Sequence, residues 1–593
     1  MLHMRNIFVT CVFCAFFGAF QGLYAQSLDP TVEVTREYEG KLVETHKPSL
    51  EMSVPDSVTH FALDFDYSVF ENPYKGSYDF NPYLLSMKPS ATDMGEKELY
   101  LKAGAGYQLH PELDFVWSPD FKDPGLNVDV YALHRSFVGR YWKIEPDLSH
   151  GGKAYLMDRM PKGSSDRTWA GHDLLTRAGA DLRYDSKGVA VDFGAGYYGL
   201  AQKDRWWKRG FNALDARFGL STKPKTSESM ALDIDVAYRL AGDRMAGTDG
   251  LSEQVLDFGI SMGPIVKGAH KFLLDLGLDM AHYSKSLNAS AAGISVVPHY
   301  IYRTDRLHLD AGLRIVKILR GPDNGKLYAT EGQLLYPDVT FHYIVIPSAM
   351  RFYATAGGGN TIDTYSSILE TNHHMNYMAA SLPLDCTLER ISLTAGLDGR
   401  ISSKFSYNLR GGYVNYGNAL LDAVLMRRTD LVEKTTEAVP TYEYKPYNKW
   451  FVAMDCCFKI EEFLFDASVS YNHAWGKVFE GFHNEAVLRP ARLTGDVALE
   501  YNWRRRIFVG ADCNFSTARK GEWSMKGANE EEILGYTMTL PGYADLGVYA
   551  EYVTSGLLSY WLRAGNLLNM TIQRNPLYAE KGIYFTAGIS LSL

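Results

Sequence analysis

From Lys97 to Leu593 the chain repeats stretches of about ten residues in which apolar positions alternate with polar or glycine positions. That period of two places successive side chains on opposite faces of a strand. In the closing stretch Ile583, Phe585, Ala587, Ile589, Leu591 and Leu593 share one face, while Gly582, Tyr584, Thr586, Gly588, Ser590 and Ser592 share the other. Phe272, Leu274, Leu276, Leu278 and Met280 likewise oppose Asp275, Gly277 and Asp279, and Leu256, Phe258, Ile260 and Met262 oppose Asp257, Gly259 and Ser261. A soluble sandwich alternates too, so the placement of charge decides. Asp192, Asp233, Asp235, Arg314, Arg410, Asp545, Glu551 and Arg563 fall mid-strand, opposite continuous apolar faces. Lipid outside and water inside yield that arrangement strand after strand in an outer-membrane barrel.

Connection lengths alternate as well. Tight turns are expected at 185–187, 267–271, 304–306, 347–349, 402–403, 461–462, 504–505 and 554–556, with a slightly longer one near Pro224. Longer polar loops separate them, among them 142–174, 203–208, 241–252, 360–388, 417–447, 476–489, 517–541 and 569–581. Short periplasmic turns and long outer loops are the rule for these barrels. Nine tight turns each join two strands, the terminal strand 582–593 adds one, and three more at about 98–107, 111–118 and 126–139 complete an even total. The pattern predicts an all-β fold, a transmembrane antiparallel β-barrel of about 22 strands (even, within 16–22) over residues 97–593.

Composition excludes other classes. With 46% apolar and 22% charged residues the chain is neither disordered nor collagen-like. Beyond the first two dozen residues no run reaches the ~18 consecutive apolar residues of a spanning helix. A formal net charge of −9 argues against nucleic acid as a partner, because phosphate binding needs a basic surface. Arg5, the apolar run 7–20 and Leu23-Tyr24-Ala25 before Gln26 predict a signal peptide over 1–25. Residues 26–96 carry six of the 23 prolines and no sustained period, so they read as an extended periplasmic or lumenal segment. Past residue 25 the cysteines are Cys386, Cys456, Cys457 and Cys513, too few for a disulfide scaffold. Cys456 and Cys457 are strand neighbours on opposite faces, and small apolar filler is the role expected of all four.

Ala564-Gly565-Asn566-Leu567-Leu568-Asn569, followed by Tyr578, Lys581-Gly582 and the strand to Leu593, resemble the last two strands of TonB-dependent receptor barrels. The chain ends in Leu593 where that family favours an aromatic residue, and Lys581-Gly582 stands where Gly-Arg is usual. Thr31-Val32-Glu33-Val34-Thr35 is similar to a TonB box, yet only about 60 residues separate it from the first strand, short of a complete plug domain. Arg36-Glu37-Tyr38, the approach with Asp66-Tyr67, and His134-Arg135-Ser136 in the third strand resemble a plug-poor, receptor-like barrel family. The resemblance implies a receptor-like or transport pore, integral to the outer membrane of a Gram-negative bacterium. Outer-membrane lipid would surround it, and a small-molecule or glycan ligand would meet its outer loops. The missing plug and long outer loops support an alternative, a non-transporting structural or assembly partner of other envelope proteins.

Few residues suggest chemistry. His134 and Ser136 leave one strand on the lipid face, similar to the serine and histidine of outer-membrane phospholipase A, but no third orienting residue is identifiable. An interfacial polar pair is the plainer reading, and no enzyme is expected. His373-His374 beside Asn372 read as solvated loop residues, since adjacent histidines rarely share a metal and no further ligand is suitably spaced. Trp206-Trp207 read as an aromatic girdle. Gly104-Ala105-Gly106 and Gly194-Ala195-Gly196 are strand glycines with no following helix to hold phosphate, and Arg504-Arg505-Arg506 is a solvated turn. No catalytic residue, cofactor or metal ligand is expected. A lumen of this width calls for closure, and residues 61–90, with Tyr67, Phe70, Tyr74, Tyr78, Phe80 and Tyr83, are expected inside or beneath the barrel.

Overall fold

The computed structural model describes residues 98–593 apart from 108, 148–152, 160–167, 206, 224–229, 268–269, 348, 376, 378–383, 429–435, 481–484, 527–532 and 555. The expected signal peptide, the TonB-box-like segment and residues 61–90 lie outside the described residues. Twenty-two antiparallel wall strands form one closed sheet, joined by a three-residue strand, Glu485–Val487, that pairs with Ala423–Leu425. The first wall strand, Leu99–Gly106, pairs with the last, Tyr584–Ser592, with Tyr100 opposite Ser592, so the wall has no free edge. Gly104 faces Gly588 across this seam, and a Cβ on Gly588 would lie 2.0 Å from the Ala103 carbonyl. The seam therefore requires a residue without a side chain there.

All nine expected tight turns join consecutive wall strands, at 186–188, 223–230, 268–269, 304–306, 347–349, 403–404, 460–462, 504–506 and 554–557. The three expected early strands are Leu99–Gly106, Glu112–Trp117 and Leu126–Trp142. Phe585 and Phe272, on the alternating apolar faces, are 52% and 51% exposed on the outside of the wall. The charges of the opposite face pair across strands inside the lumen: Arg314 with Asp338 at 2.7 Å, Arg217 with Asp181 at 3.0 Å, Arg563 with Asp512 at 4.0 Å, and Arg410 with Asp455.

The outer connections depart from the expectation. Loops 203–208 and 241–252 shrink to 204–207 and 246–250. The expected loop 417–447 is mostly a β-ribbon, because Phe405–Arg428 and Thr436–Lys459 run 24 residues each, well beyond the ~9–11 that cross a bilayer. Cross-strand pairs such as Leu420 with Tyr444 and Asp422 with Tyr442 continue the ladder past the membrane. Two other outer loops share a small sheet of Ile144–Asp147, Lys153–Arg159, Arg519–Lys526 and Ile533–Leu540, with Thr537–Thr539 parallel to Lys153–Tyr155. Ile144, Val424, Ala486, Leu488, Met538 and Leu577 bury one another in this region. The outer connections thus pack as a superstructure with its own apolar core.

Candidate functional site at the outer mouth

In the connection between Met350–Ile362 and Cys386–Ser402, residues 363–375 turn back against the inner face of the wall. Thr364 caps a short helix, Tyr365–Thr371: its hydroxyl accepts from the Ser367 N–H while the Thr364 N–H donates to Ser367, the reciprocal pairing that fixes a helix start. Tyr365, Ile368 and Leu369 then lie on one helical face and are buried against inward-facing Leu175, Tyr198, Phe211, Ala241 and Tyr283.

Polar groups fasten the helix to the wall. The Tyr365 hydroxyl donates to Asp243 at 2.5 Å, and the Ser366 N–H donates to Glu253 at 3.1 Å. Tyr283 donates to the same Glu253 at 2.9 Å. Glu370 receives Arg239 at 2.6 Å and Arg177 at 3.4 Å, and Arg239 also holds Asp215 at 2.5 Å. Beyond the helix, Arg209 donates to the carbonyls of His373, at 3.1 Å, and Met375. Asn372 donates to the Tyr442 hydroxyl on the projecting ribbon.

The two histidines are not solvated, contrary to the sequence reading. His373 Nδ1 lies 2.9 Å from Asp173, and His374 Nδ1 lies 2.9 Å from the Gln202 amide. The His374 ring stacks on Tyr578 with centroids 3.7 Å apart and planes 8° apart. Burial holds the His374 imidazole near about 3; Asp173 pulls it upward and His373 and Arg209 push it down. A polar loop sequence looks solvated until its partners are known, and these partners sit about 200 and 170 residues away on the wall.

A second outer segment, 566–583, is fastened to the wall in the same way. Arg574 bonds Asp545 at 3.0 Å, Glu580 at 2.8 Å and the Tyr543 hydroxyl at 2.9 Å. Lys581 donates to His110 Nε2 at 2.8 Å and sits 3.8 Å above the Tyr584 ring. Burial lowers the Lys581 ammonium to about 8. Between the two segments lies a cavity of about 50 Å³, lined by Tyr141, Trp169, Asp173, Glu370, His374 and Lys581 among others. It has room for a few waters, and the two segments meet across it in the His374–Tyr578 stack.

The other sequence candidates lie elsewhere. His134 and Ser136 are on the lipid face but bond separate partners: His134 Nδ1 lies 2.9 Å from the Thr176 hydroxyl, and Ser136 donates to the Pro111 carbonyl at 3.2 Å. Trp207 is partly exposed and Trp206 lies outside the described residues. Arg505, at its turn, makes a solvent-exposed pair with Glu461 at 3.8 Å. The four cysteines are free thiols, and among the described residues no group of three or more His, Cys, Asp or Glu is placed to hold a metal. Sequence reasoning missed the inward loop. The signal was present: Thr364 and Ser367 at cap spacing, with Tyr365, Ile368 and Leu369 forming an apolar helical stripe.

No family model and no curated protein matches the chain. Solved structures do. The FrpB iron transporter from Neisseria meningitidis superposes with a TM-score of 0.58 at 11% identity, covering 84% of this chain and 82% of that one. A mutant of the ferric enterobactin receptor PfeA from Pseudomonas aeruginosa gives 0.55 at 10%, covering 84% and 80%. The outer membrane transporter YddB from Escherichia coli gives 0.53 at 9%, covering 84% and 81%. At such identities the likeness is one of fold. The chain folds as a closed β-barrel of 22 wall strands, the fold of these receptors and transporters.

Proposed function

We propose that the protein is an integral outer-membrane receptor and transport barrel of a Gram-negative bacterium, in which segment 363–385 gates the passage of a polar small molecule. The observation that carries this reading is the fastening of that segment. It is held over a wide polar lumen by side-chain bonds to Arg177, Arg209, Arg239, Asp243 and Glu253, which can be exchanged without breaking the wall. The mixed lining of aromatic, amide, acid and amine groups suits a hydrogen-bonding ligand such as a glycan or a chelate. Residues 61–90 would close the lumen from the periplasmic side.

Conductance in planar bilayers tests the reading. The intact protein should conduct little, replacement of 365–383 by a short Gly-Ser linker should raise conductance, and further deletion of 61–90 should raise it again. An intact protein that is already a wide pore, unchanged by either deletion, would sink it.

The ribbon and sheet of the outer superstructure favour a second reading, a docking platform for an envelope or extracellular protein. Affinity purification from native membranes would then return a stoichiometric partner, lost when the ribbon is trimmed across 420–443.

A further inference from the structure

Glu370, near the end of the inward helix, is the meeting point of two cations that start far apart on the wall. Arg177 stands on Thr168–Asp185 and Arg239 on Ala231–Met245, with Val189–Lys203 and Lys208–Thr222 between them. Three strand spacings place their backbones roughly 14 Å apart. Register puts both on the inner face: Arg177 lies opposite Tyr198, and Arg239 opposite Asp215, in the same parity as buried Leu175, Ala213 and Ala241. Each is held by a neighbour. Asp215 takes Arg239 Nε at 2.5 Å and Nη2 at 3.1 Å, which leaves Nη1 for Glu370 at 2.6 Å. Arg177 Cζ lies over the Tyr198 ring, 5.0 Å from its centroid, and Nη2 reaches Glu370 at 3.4 Å.

Glu370 does not use up the donors gathered around it. Arg177 Nε and the Tyr198 hydroxyl are both buried without a hydrogen-bond partner, and a buried donor left unpaired is unfavourable. Among the described residues Arg177 has no ion pair besides Glu370. The flanking acids Asp173 and Asp181 are engaged by His373 and Arg217. An ordinary fastening explains two arginines on one carboxylate, but not two further donors left over beside it. A carboxylate is planar and presents two oxygens, whereas a phosphate presents three in three directions and carries more charge. Donors that converge from three strands match the phosphate. The Arg177, Arg239 and Glu370 side chains are about a quarter exposed, so a solute in the lumen reaches them.

We propose that Arg177, Tyr198 and Arg239 form a binding site for the phosphate group of a small solute, free or esterified, and that Glu370 occupies it as a built-in surrogate until phosphate displaces it. Displacement removes one fastening of the helix, so recognition of the ligand and loosening of the segment become one event. The proposal rests on the reading of segment 363–385 as a movable closure and adds the chemical class of the ligand.

The test is isothermal titration calorimetry on the full-length protein in detergent, with glycerol phosphate, inorganic phosphate and glycerol as probes. Glu370→Gln removes the competing charge and should bind the phosphate probes about tenfold more tightly than wild type. In that background Arg177→Gln and Tyr198→Phe should each lose about tenfold. Tyr198→Phe is the sharper variant: its hydroxyl makes no bond to the helix, so phosphate binding should fall while proteolysis within 363–375 stays as in the Glu370→Gln parent. Arg314→Gln, which removes a lumen cation elsewhere, should bind as the parent does. Tighter binding of glycerol phosphate than of inorganic phosphate would identify an ester as the ligand, and the reverse order free phosphate. No binding of either by Glu370→Gln, equal binding of glycerol, or undiminished binding by the Arg177 and Tyr198 variants would overturn the proposal. Only variants folded by heat-shift on gels are scored, and Tyr198→Phe, which deletes one oxygen, decides the matter if Arg177→Gln fails to fold. Phosphate binding with a conductance unmoved by the 365–383 linker would defeat the gate and leave the site; raised conductance without phosphate binding would do the opposite.

Discussion

The lumen has two unlike regions although one alternation builds both. Toward the short turns, inward positions carry charges paired across strands and open to water, such as Arg183 with Asp192 at 3.7 Å, each half exposed. Toward the outer ends, inward positions on the same strands carry Leu175, Tyr198, Phe211 and Ala213, buried under Tyr365, Ile368, Leu369 and Met375 of the returning segment. The change happens within single strands: along Lys208–Thr222, Phe211 and Ala213 are buried whereas Asp215 and Arg217 reach the lumen. A period of two fixes which face a residue occupies, and what later covers that face decides whether it behaves as core or as solvated wall.

The largest effects should come from the outer region. Tyr365 and Leu369 are fully buried, so Tyr365→Ala and Leu369→Ala should each cost ~2–5 kcal/mol of closure. Asp243→Ala should cost ~3–5 kcal/mol, because the buried Arg209 charge 3.9 Å away loses its partner. Limited proteolysis of the folded barrel is the measurement, with rapid cutting within 363–385 expected and wild-type resistance arguing against this core.

The next largest effect separates the lipid face from the lumen. Leu276→Arg, near mid-strand on the outward face, should cost ~2–4 kcal/mol, and Leu593→Asp at the rim about 0–1 kcal/mol. Folded protein in the outer membrane, scored by heat-shift on gels, should fall for the first and hold for the second; the reverse order would invert the face assignment.

This face assignment was almost wholly legible in the sequence. The turns at 186–188 through 554–557 carry Gly, Ser, Asp and Arg between alternating runs, and counting them gave the wall. The outer superstructure was not legible to the same degree. Polar composition marks 417–447 as loop, but Tyr442 and Tyr444 find strand partners in Asp422 and Leu420, and a ladder continues wherever partners are in register. His373 and His374 looked solvated for a related reason: their burial depends on Asp173, Gln202 and Tyr578, residues remote in sequence that only barrel closure brings together.

Acid should act on the outer region in two opposed ways. His374, held near about 3 in the closed state, contributes closure fully above its ordinary ~6.5 and loses it as pH falls toward 3. Asp363, raised to about 6 by burial and by Asp385, favours closure more as pH falls through 6. From pH 7 to 5 the first should weaken closure by roughly 2 kcal/mol and the second strengthen it by somewhat less. Lys581, at about 8, changes only above that range. Proteolysis at both pH values should therefore show acid loosening the segment in Asp363→Asn and tightening it in His374→Phe. Identical pH responses in the two variants would show that neither group is linked to closure.

The smallest expected effect lies in the wet region, and it bounds the comparison from below. Arg351 and Asp398 meet in a two-pronged pair, Nε to Oδ1 at 3.0 Å and Nη2 to Oδ2 at 2.6 Å. That geometry is better than the 3.9 Å approach of Arg209 to Asp243. If geometry alone set the energy, the Arg351 pair would be the stronger. The Arg351 and Asp398 side chains, however, are 32% and 15% exposed, against 2% and 0% for the mouth pair. Solvent therefore screens the attraction and hydrates whichever partner is left behind. A double-mutant cycle on Arg351→Ala and Asp398→Ala, read by urea unfolding in lipid vesicles, should give a coupling of about 1 kcal/mol or less, with gating unchanged. Coupling of ~3 kcal/mol or more would mean that the wet region is as desolvated as the mouth, and the division of the lumen into two regions would fail.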